Sequence, residues 1–576
     1  MKPILYIGIL CLTVACGDKD SSSGSTPSAD LGTSGTDAQG DTSQSDLDTA
    51  KDDTPQNTEP TFNPIAWAFE SNPIDTPDPV QVELQHLDAD QQSLKGAYAN
   101  VRNCLPDLKN GQKIPLNMGG LSLNLTTCKP TYAAAPGEDG TFLHIQVPDD
   151  HGSGEDSFAE IMMYHHMQLI HDYFKQVHGM TDLDWPLDAL VNLQVHIDLC
   201  DQWASISNAA FIPGGALDQF GFELDFGIDG DAIMFSQAPN KDFSYDADVI
   251  YHEYTHAMVG ATRLNAVFAD SQGMNNMPGA LNEAYADYFA STLANESVVG
   301  NYALNGLEPL NICGFPLGAA GGDQSRDLSK FKSCPDNLTA EVHADGEIFG
   351  SALWAAREAV GPALADKIIL DALAGFTNTT DFNLAATFTI ATAKKQLSAE
   401  DAAKVEAAFT DRGLVGCQRI LPIENVGTQG IPISMLASDA MNPNPFGDYV
   451  PGYVQFGVDI PEDAKQLILN IKTGGGGGFG GGGGSAKLAV AFKPGNKAVA
   501  YSYSFTAKPA THDAVIVLPI EEQSAGNYQV TLAGSCLQSG PMTFSLHNQG
   551  GATSITKISR VTSKDPSDTP NFETCN

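Results

Sequence analysis

Asp246-Ala-Asp-Val-Ile-Tyr-His252-Glu253-Tyr-Thr-His256 sets two imidazoles four residues apart, with a carboxylate directly after the first. On a helix, residues four apart lie one turn from each other on the same face, so both imidazoles can reach one metal ion. Glu283 follows 27 positions after His256, inside Gly279-Ala-Leu-Asn-Glu-Ala-Tyr-Ala-Asp287. Asn282-Glu283 reads as the opening of a second helix, with Asp287 one turn further on. Catalytic zinc takes three such nitrogen and oxygen donors and keeps a fourth position open for water. The spacing therefore makes His252, His256 and Glu283 the zinc ligands and leaves Glu253, beside the open position, as the general base.

A string of this form also arises by chance. With 13 His in 576 residues, it is expected in roughly one or two unrelated chains of this size in a hundred. Context decides against chance, because an acidic helix entry precedes the string and a second carboxylate-bearing helix follows it.

The motifs resemble those of the gluzincin metallopeptidases, specifically the thermolysin and fungalysin families. Those families pair HExxH with a later helix, and Asn282-Glu-Ala-Tyr-Ala-Asp287 is similar to that helix. The long gap between motifs is closer to fungalysin, and Asn282 before the ligand is closer to thermolysin. Glu341-Val-His-Ala-Asp-Gly-Glu-Ile-Phe349 resembles the fungalysin segment that carries the second catalytic histidine. His343 is then the donor to the oxyanion that forms on the scissile carbonyl. Ser207-Asn-Ala-Ala-Phe-Ile-Pro213 resembles the edge strand that pairs with substrate, which implicates Asn208 and Ala209. By the same likeness Asp287 accepts the free N–H of a zinc histidine, Asn282 orders the helix start, and Asp248 is a candidate calcium ligand.

The chain departs from the pattern in places. Ala294 stands where a calcium-binding glutamate is expected, no tyrosine lies between His256 and Glu283, and Leu338 replaces an aspartate five before His343. The resemblance implies an α+β fold, a β-rich N-terminal lobe and a helical lobe with the site in the cleft between them. It also implies a zinc endopeptidase acting on proteins or peptides. A gluzincin aminopeptidase is the rival enzyme, but the 26 residues between motifs and the lack of a G-x-M-E-N segment count against it. A surface adhesin with a vestigial site is the rival of another class.

At 576 residues the chain is too long for one core. Its net charge of -40 argues against nucleic acid or an anionic membrane as partner. The apolar run Ile4 to Ala15 is too short to span a bilayer and reads as an export signal. Leu12-Thr-Val-Ala-Cys16 resembles a bacterial lipobox, which implies a lipid on Cys16, an outer-membrane or surface lipoprotein, and membrane contact through that lipid alone. Simple secretion is the alternative. Residues 17–77 read as an acidic Ser/Thr/Asp-rich tether unable to bury a core. The catalytic domain is expected over 78–416, with strands at Val80–Leu84 and Thr141–Val147 and a long helix from Phe158 to Val177.

Eight cysteines remain after the signal, an even number that in an exported chain reads as disulfides. Proximity in sequence pairs Cys104 with Cys128 and Cys313 with Cys334. From Cys417 the apolar period changes to two, at Val454/Phe456/Val458, Leu467/Leu469/Ile471, Leu488/Val490/Phe492, Val515/Val517 and Tyr528/Val530/Leu532, which predicts a β-sandwich over 417–576. Ala525-Gly-Asn-Tyr-Gln-Val-Thr-Leu-Ala-Gly534 resembles a strand of the bacterial pre-peptidase C-terminal domain, whose relatives contact matrix or carbohydrate. The glycine run Gly474 to Gly484 lacks a following Gly-Lys-Ser/Thr and reads as a hairpin loop rather than a phosphate cradle.

Overall fold

The computed structural model describes residues 63–118, 121–214, 226, 228, 230–260, 264, 268–317, 322–428, 433–435, 451–474, 486–504, 508–534, 537–550 and 553–564. The expected signal, Cys16, most of the tether, the glycine run after Gly474, and Cys536 and Cys575 lie outside these residues. Among the described residues no helix is long and apolar enough to cross a membrane.

Helix and strand are mixed, as the α+β reading requires. The first large sheet has five strands in the order 209–212, 232–235, 187–191, 99–105, 129–131. Its central strand Leu187–Val191 runs parallel to both neighbours and is mostly buried, as strands covered on both faces are. Ala209–Ile212 is the edge strand, antiparallel to Ala232–Phe235. A four-stranded antiparallel sheet, 113–118, 121–127, 194–197 and 202–205, follows it.

Helix α1, Phe158–Asp172, buries Phe158, Ile161, Met162, Ile170 and neighbouring residues, then passes into one wider turn at Tyr173–Val177. Helix α2, Ala247–Val259, starts at Asp246, whose side chain accepts from the Asp248 N–H and so satisfies an orphan donor of the first turn. It ends at Gly260, which takes φ +79°, a conformation glycine adopts without strain. Helix α3, Met277–Ala294, has Pro278 in its first turn, where the missing N–H costs nothing. Helices α4 (Val342–Val360), α5 (Pro362–Leu373), α6 (Phe382–Gln396) and α7 (Ala399–Thr410) complete the helical part among the described residues.

Beyond residue 417 the described residues form mainly strands, with one short helical turn at Ile423–Asn425. One five-stranded sheet runs 420–422, 455–460, 540–548, 488–494, 516–519, and another runs 433–435, 553–563, 466–474, 527–533, 521–524. Four of the five alternating sets bury as read, including Val454, Phe456 and Val458, and Leu467, Leu469 and Ile471. The fifth is inverted: Val515 and Val517 face solvent and Ile516 is buried between them, because the apolar residues of this short edge strand sit on both faces.

Several expectations fail for identifiable reasons. The expected tether extends to residue 77, but Ile65–Ala68 pairs with Val80–Glu83 and buries Ala66 and Ala68. Charge around this short strand masked it. Thr141–Val147 alternates in burial only from Leu143 on and forms no ladder; Asp139 accepts from Thr141 and the chain turns at Phe142–Ile145. The strands flanking the glycine run, Gln466–Gly474 and Leu488–Pro494, belong to different sheets, so they are not the arms of a hairpin. Helix α3 begins at Met277, five residues before Asn282, because Pro278 and the Asn275 side chain start it earlier. Cys104 pairs with Cys128 as expected, but Cys313 pairs with Cys200 and Cys334 with Cys417. Gln202 donates to the Asn311 carbonyl and accepts from the Cys313 N–H, which seats the 310–317 hairpin against Cys200. Proximity in sequence cannot register such a contact.

Candidate metal centre

Helices α2 and α3 pack side by side and bring the three expected ligands together. The Nε2 atoms of His252 and His256 lie 3.1 Å apart. Glu283 Oε2 is 3.2 Å from His252 Nε2 and 3.6 Å from His256 Nε2. It is buried and accepts no well-formed hydrogen bond, so its lone pairs point at the same small volume as the two imidazoles. Among the described residues this is the one group of three or more such side chains whose donor atoms lie within 4.8 Å of one another. Two imidazole nitrogens and a carboxylate oxygen so placed fit zinc.

The other ring nitrogens are tied back. His252 Nδ1 is 2.8 Å from Asp287 Oδ1, and His256 Nδ1 is 2.9 Å from Asn282 Oδ1. With Nδ1–H donated outward, each ring presents a bare Nε2 to a metal, the usual tuning of such histidines by outer partners. Asn282 therefore holds an imidazole rather than the helix start. Burial alone would lower the His252 imidazole, but Asp287 and Glu283 outweigh it and raise it to about 10. Burial works against the Glu283 carboxylate too, yet His343, His256 and His252 together hold it well below its ordinary value.

Glu253 lies on α2, and its Oε2 accepts from the Phe211 N–H at 2.7 Å. That bond links the helix to the edge strand Ala209–Ile212. Since the Phe211 N–H leaves the ladder, Ala209, two residues back, turns its backbone to the same open side. The Asn208 carbonyl is spent on the Ser236 N–H. The structure thus brings Ala209 to the open edge and leaves Asn208 with only its side chain free of the sheet.

His343 lies in the first turn of α4. Its Nε2 is 3.4 Å from Glu283 Oε2 and its Nδ1 is 2.8 Å from Glu341 Oε1. Burial would lower this imidazole, but Glu283 and Glu341 raise it to about 9. Asp248 stands apart on α2, fully buried, with both carboxylate oxygens unbonded. Burial, then Asp246 and Glu296, push its carboxyl well above the ordinary value.

Two site residues escaped the sequence. Arg326 donates to both Asp287 oxygens at 2.7 Å and approaches His252 Nδ1 at 3.4 Å. It sits in a two-residue strand, Arg326–Asp327, paired with Val298–Val299 and too short to show a period, so nothing local marks it. Glu341 holds His343 in place of the aspartate sought at position 338; its signal was its place two residues before the histidine.

The site thus combines the buried His252 and the part-buried His256 of HExxH, a carboxylate from the next helix and a histidine beside them. Residues 153–416 match the family model described as Fungalysin metallopeptidase (M36). The chain is 27% identical to Bacillolysin of Bacillus amyloliquefaciens over 267 residues, covering 44% of this chain and 44% of that protein. It thus spans less than half the length of that relative. The solved precursor of protealysin, a metalloproteinase from Serratia proteamaculans, matches at 18% identity and a TM-score of 0.32, over 47% of this chain and 82% of that one.

Proposed function

We propose that the chain is an exported zinc metalloendopeptidase whose site is held by His252, His256 and Glu283. The observation that carries this reading is the convergence of those three donors on one volume, with each imidazole backed by an outer partner. Bound zinc supplies an acidified water and polarises a peptide carbonyl. Glu253 takes the proton of the attacking water and delivers it to the leaving amine. The Phe211 N–H holds that carboxylate in place. His343, steadied by Glu341, donates a hydrogen bond to the developing oxyanion. Ala209 pairs with the substrate backbone along the open edge, assisted by the Asn208 side chain. Substrates are proteins or peptides.

In this reading the catalytic unit ends at about residue 416, with its β-rich and helical parts as two lobes around the site. The two C-terminal sheets form a sandwich that contacts matrix or carbohydrate. Residues 1–16 direct export, and Cys16 carries the lipid of a surface lipoprotein. Calcium binds at Asp248, a reading supported by its unbonded buried carboxylate near Asp246 and Glu296.

The test is Glu253→Gln with zinc content measured. Loss of hydrolysis by about 10²-fold or more, with zinc retained, is expected for removal of a general base; substantial remaining hydrolysis sinks the assignment. Hydrolysis of a mixed peptide library, with and without a chelator, separates internal cuts from removal of terminal residues.

A further inference from the structure

We propose that Arg419, at the entrance to the C-terminal sheets, is a positioning residue for the zinc glutamate. The inference rests on the zinc-peptidase reading above.

Phe268–Asp270 and Gly273–Asn275 form a small antiparallel hairpin. In the chain it connects the helix bearing His252 and His256 to the helix bearing Glu283. The C-terminal part grips this hairpin. Arg419 is buried and donates from Nη1 and Nη2 to the two Asp270 oxygens, both at 2.7 Å, and from Nη2 to the Met274 carbonyl at 3.0 Å. Its Nε donates to the Tyr453 carbonyl and its guanidinium lies 4.9 Å from the centroid of the Tyr453 ring. The Arg419 N–H donates to the Gln272 side chain, Gln455 donates to the Gln272 carbonyl, and the Tyr501 N–H donates to the Ser271 carbonyl. Bidentate pairing of this kind fixes direction as well as distance, which a lysine cannot reproduce.

From Asp270 the constraint runs inward. The same carboxylate accepts from the Asn275 side-chain amide at 2.9 Å, and the Asn275 oxygen accepts the Met277 N–H that opens α3. Asn276 donates to the Ala340 carbonyl, just before Glu341 and His343. Asn282, Glu283 and Asp287 follow on α3 within three turns of that start. A chain of directional bonds thus runs from Arg419 through Asp270 and Asn275 to the helix that sets the third ligand, with a branch toward His343. Sub-ångström placement of such groups governs rate more than substrate affinity.

The experiment uses the full chain with Arg419→Lys, which keeps the charge and loses the fork, and Asp270→Asn as the second variant. Three quantities are read on each: zinc affinity by chelator competition, kcat and KM on a peptide substrate, and amide exchange across 276–284 compared with α1. The expected result is zinc affinity and kcat each lowered at least tenfold with KM within twofold, and exchange accelerated at the start of α3 but unchanged in α1. The double variant is expected to be no worse than the poorer single one, since both break the same link. Unchanged zinc affinity and exchange at 276–284 in a folded variant overturn the proposal, as does exchange accelerated equally in α1, which marks general destabilisation. If the wild-type chain neither binds zinc nor hydrolyses peptides, the function reading fails instead, and exchange at 276–284 still decides whether Arg419 holds α3.

Discussion

Single residues in this chain show how burial and hydrogen bonding compete. Glu160 is fully buried on α1, where its oxygens accept from Asn103 and from the Ala133 and Ala134 N–H groups. Burial still wins and raises its carboxyl from 4.5 to about 8, with Asp156 adding repulsion. A carboxyl raised by folding binds its proton more tightly in the native state, so the contribution of Glu160 to stability is fully present below pH 4.5 and is lost as pH rises from there through about 8. The slope reaches about 1.4 kcal/mol per pH unit. Glu160→Gln, neutral throughout, is expected to flatten the decline in the urea midpoint between pH 5 and 8; equal slopes in the two proteins would mean that Glu160 titrates normally. The metal ligands belong to the same scale and were the most legible residues, because a metal demands donor types at a spacing that a helix turns directly into geometry. Arg326 and Glu341 were hidden for the converse reason: their roles come from tertiary approach, and a single charged residue in a two-residue strand or beside a helix carries no period.

At the scale of elements, the edge strand Ala209–Ile212 carries the sharpest expectation. Its Ala209 N–H faces away from the Ala232–Phe235 ladder, whereas Ala210 lies opposite Met234 and faces it. Ala209→Pro removes an outward donor and leaves the sheet bonds in place. It is expected to raise KM for peptides about tenfold, the worth of one hydrogen bond at about 1.4 kcal/mol, with zinc content unchanged. Ala210→Pro is expected instead to lower the thermal midpoint; equal KM effects from the two would remove the argument from strand direction. The long helix from Phe158 was legible in the sequence because an amphipathic period over 15 residues survives local noise. Short strands were read less well. Ile65–Ala68 hid in an acidic, Pro-rich stretch, and Thr141–Val147 alternated without a neighbour to pair with, since alternation reports burial on one side and not the presence of a ladder.

Across the whole molecule, the 334–417 bridge ties the segment before α4 to the start of the C-terminal sheets. Replacing Cys334 and Cys417 together by alanine is expected to cost about 2–4 kcal/mol, read as a fall in the denaturant midpoint; a midpoint unchanged from wild type would mean that packing around Arg412 and Gly413 already fixes this junction. The sequence marked the change of architecture at this junction through the switch from helical period to alternation. It could not show that Arg419 and Gln455 reach back to the hairpin at 270–274, because long-range hydrogen bonds between polar side chains leave no periodic trace.

The three bridges 104–128, 200–313 and 334–417 follow one another along the chain without overlapping. His252, Glu253, His256 and Glu283 all sit inside the second ring, and Glu341 and His343 inside the third. A single backbone cut anywhere within either ring leaves both new ends covalently joined. Should this chain nick itself at the loops flanking α2, the wounded molecule keeps its ligand set on one tethered body and runs as one band until a reductant opens the rings.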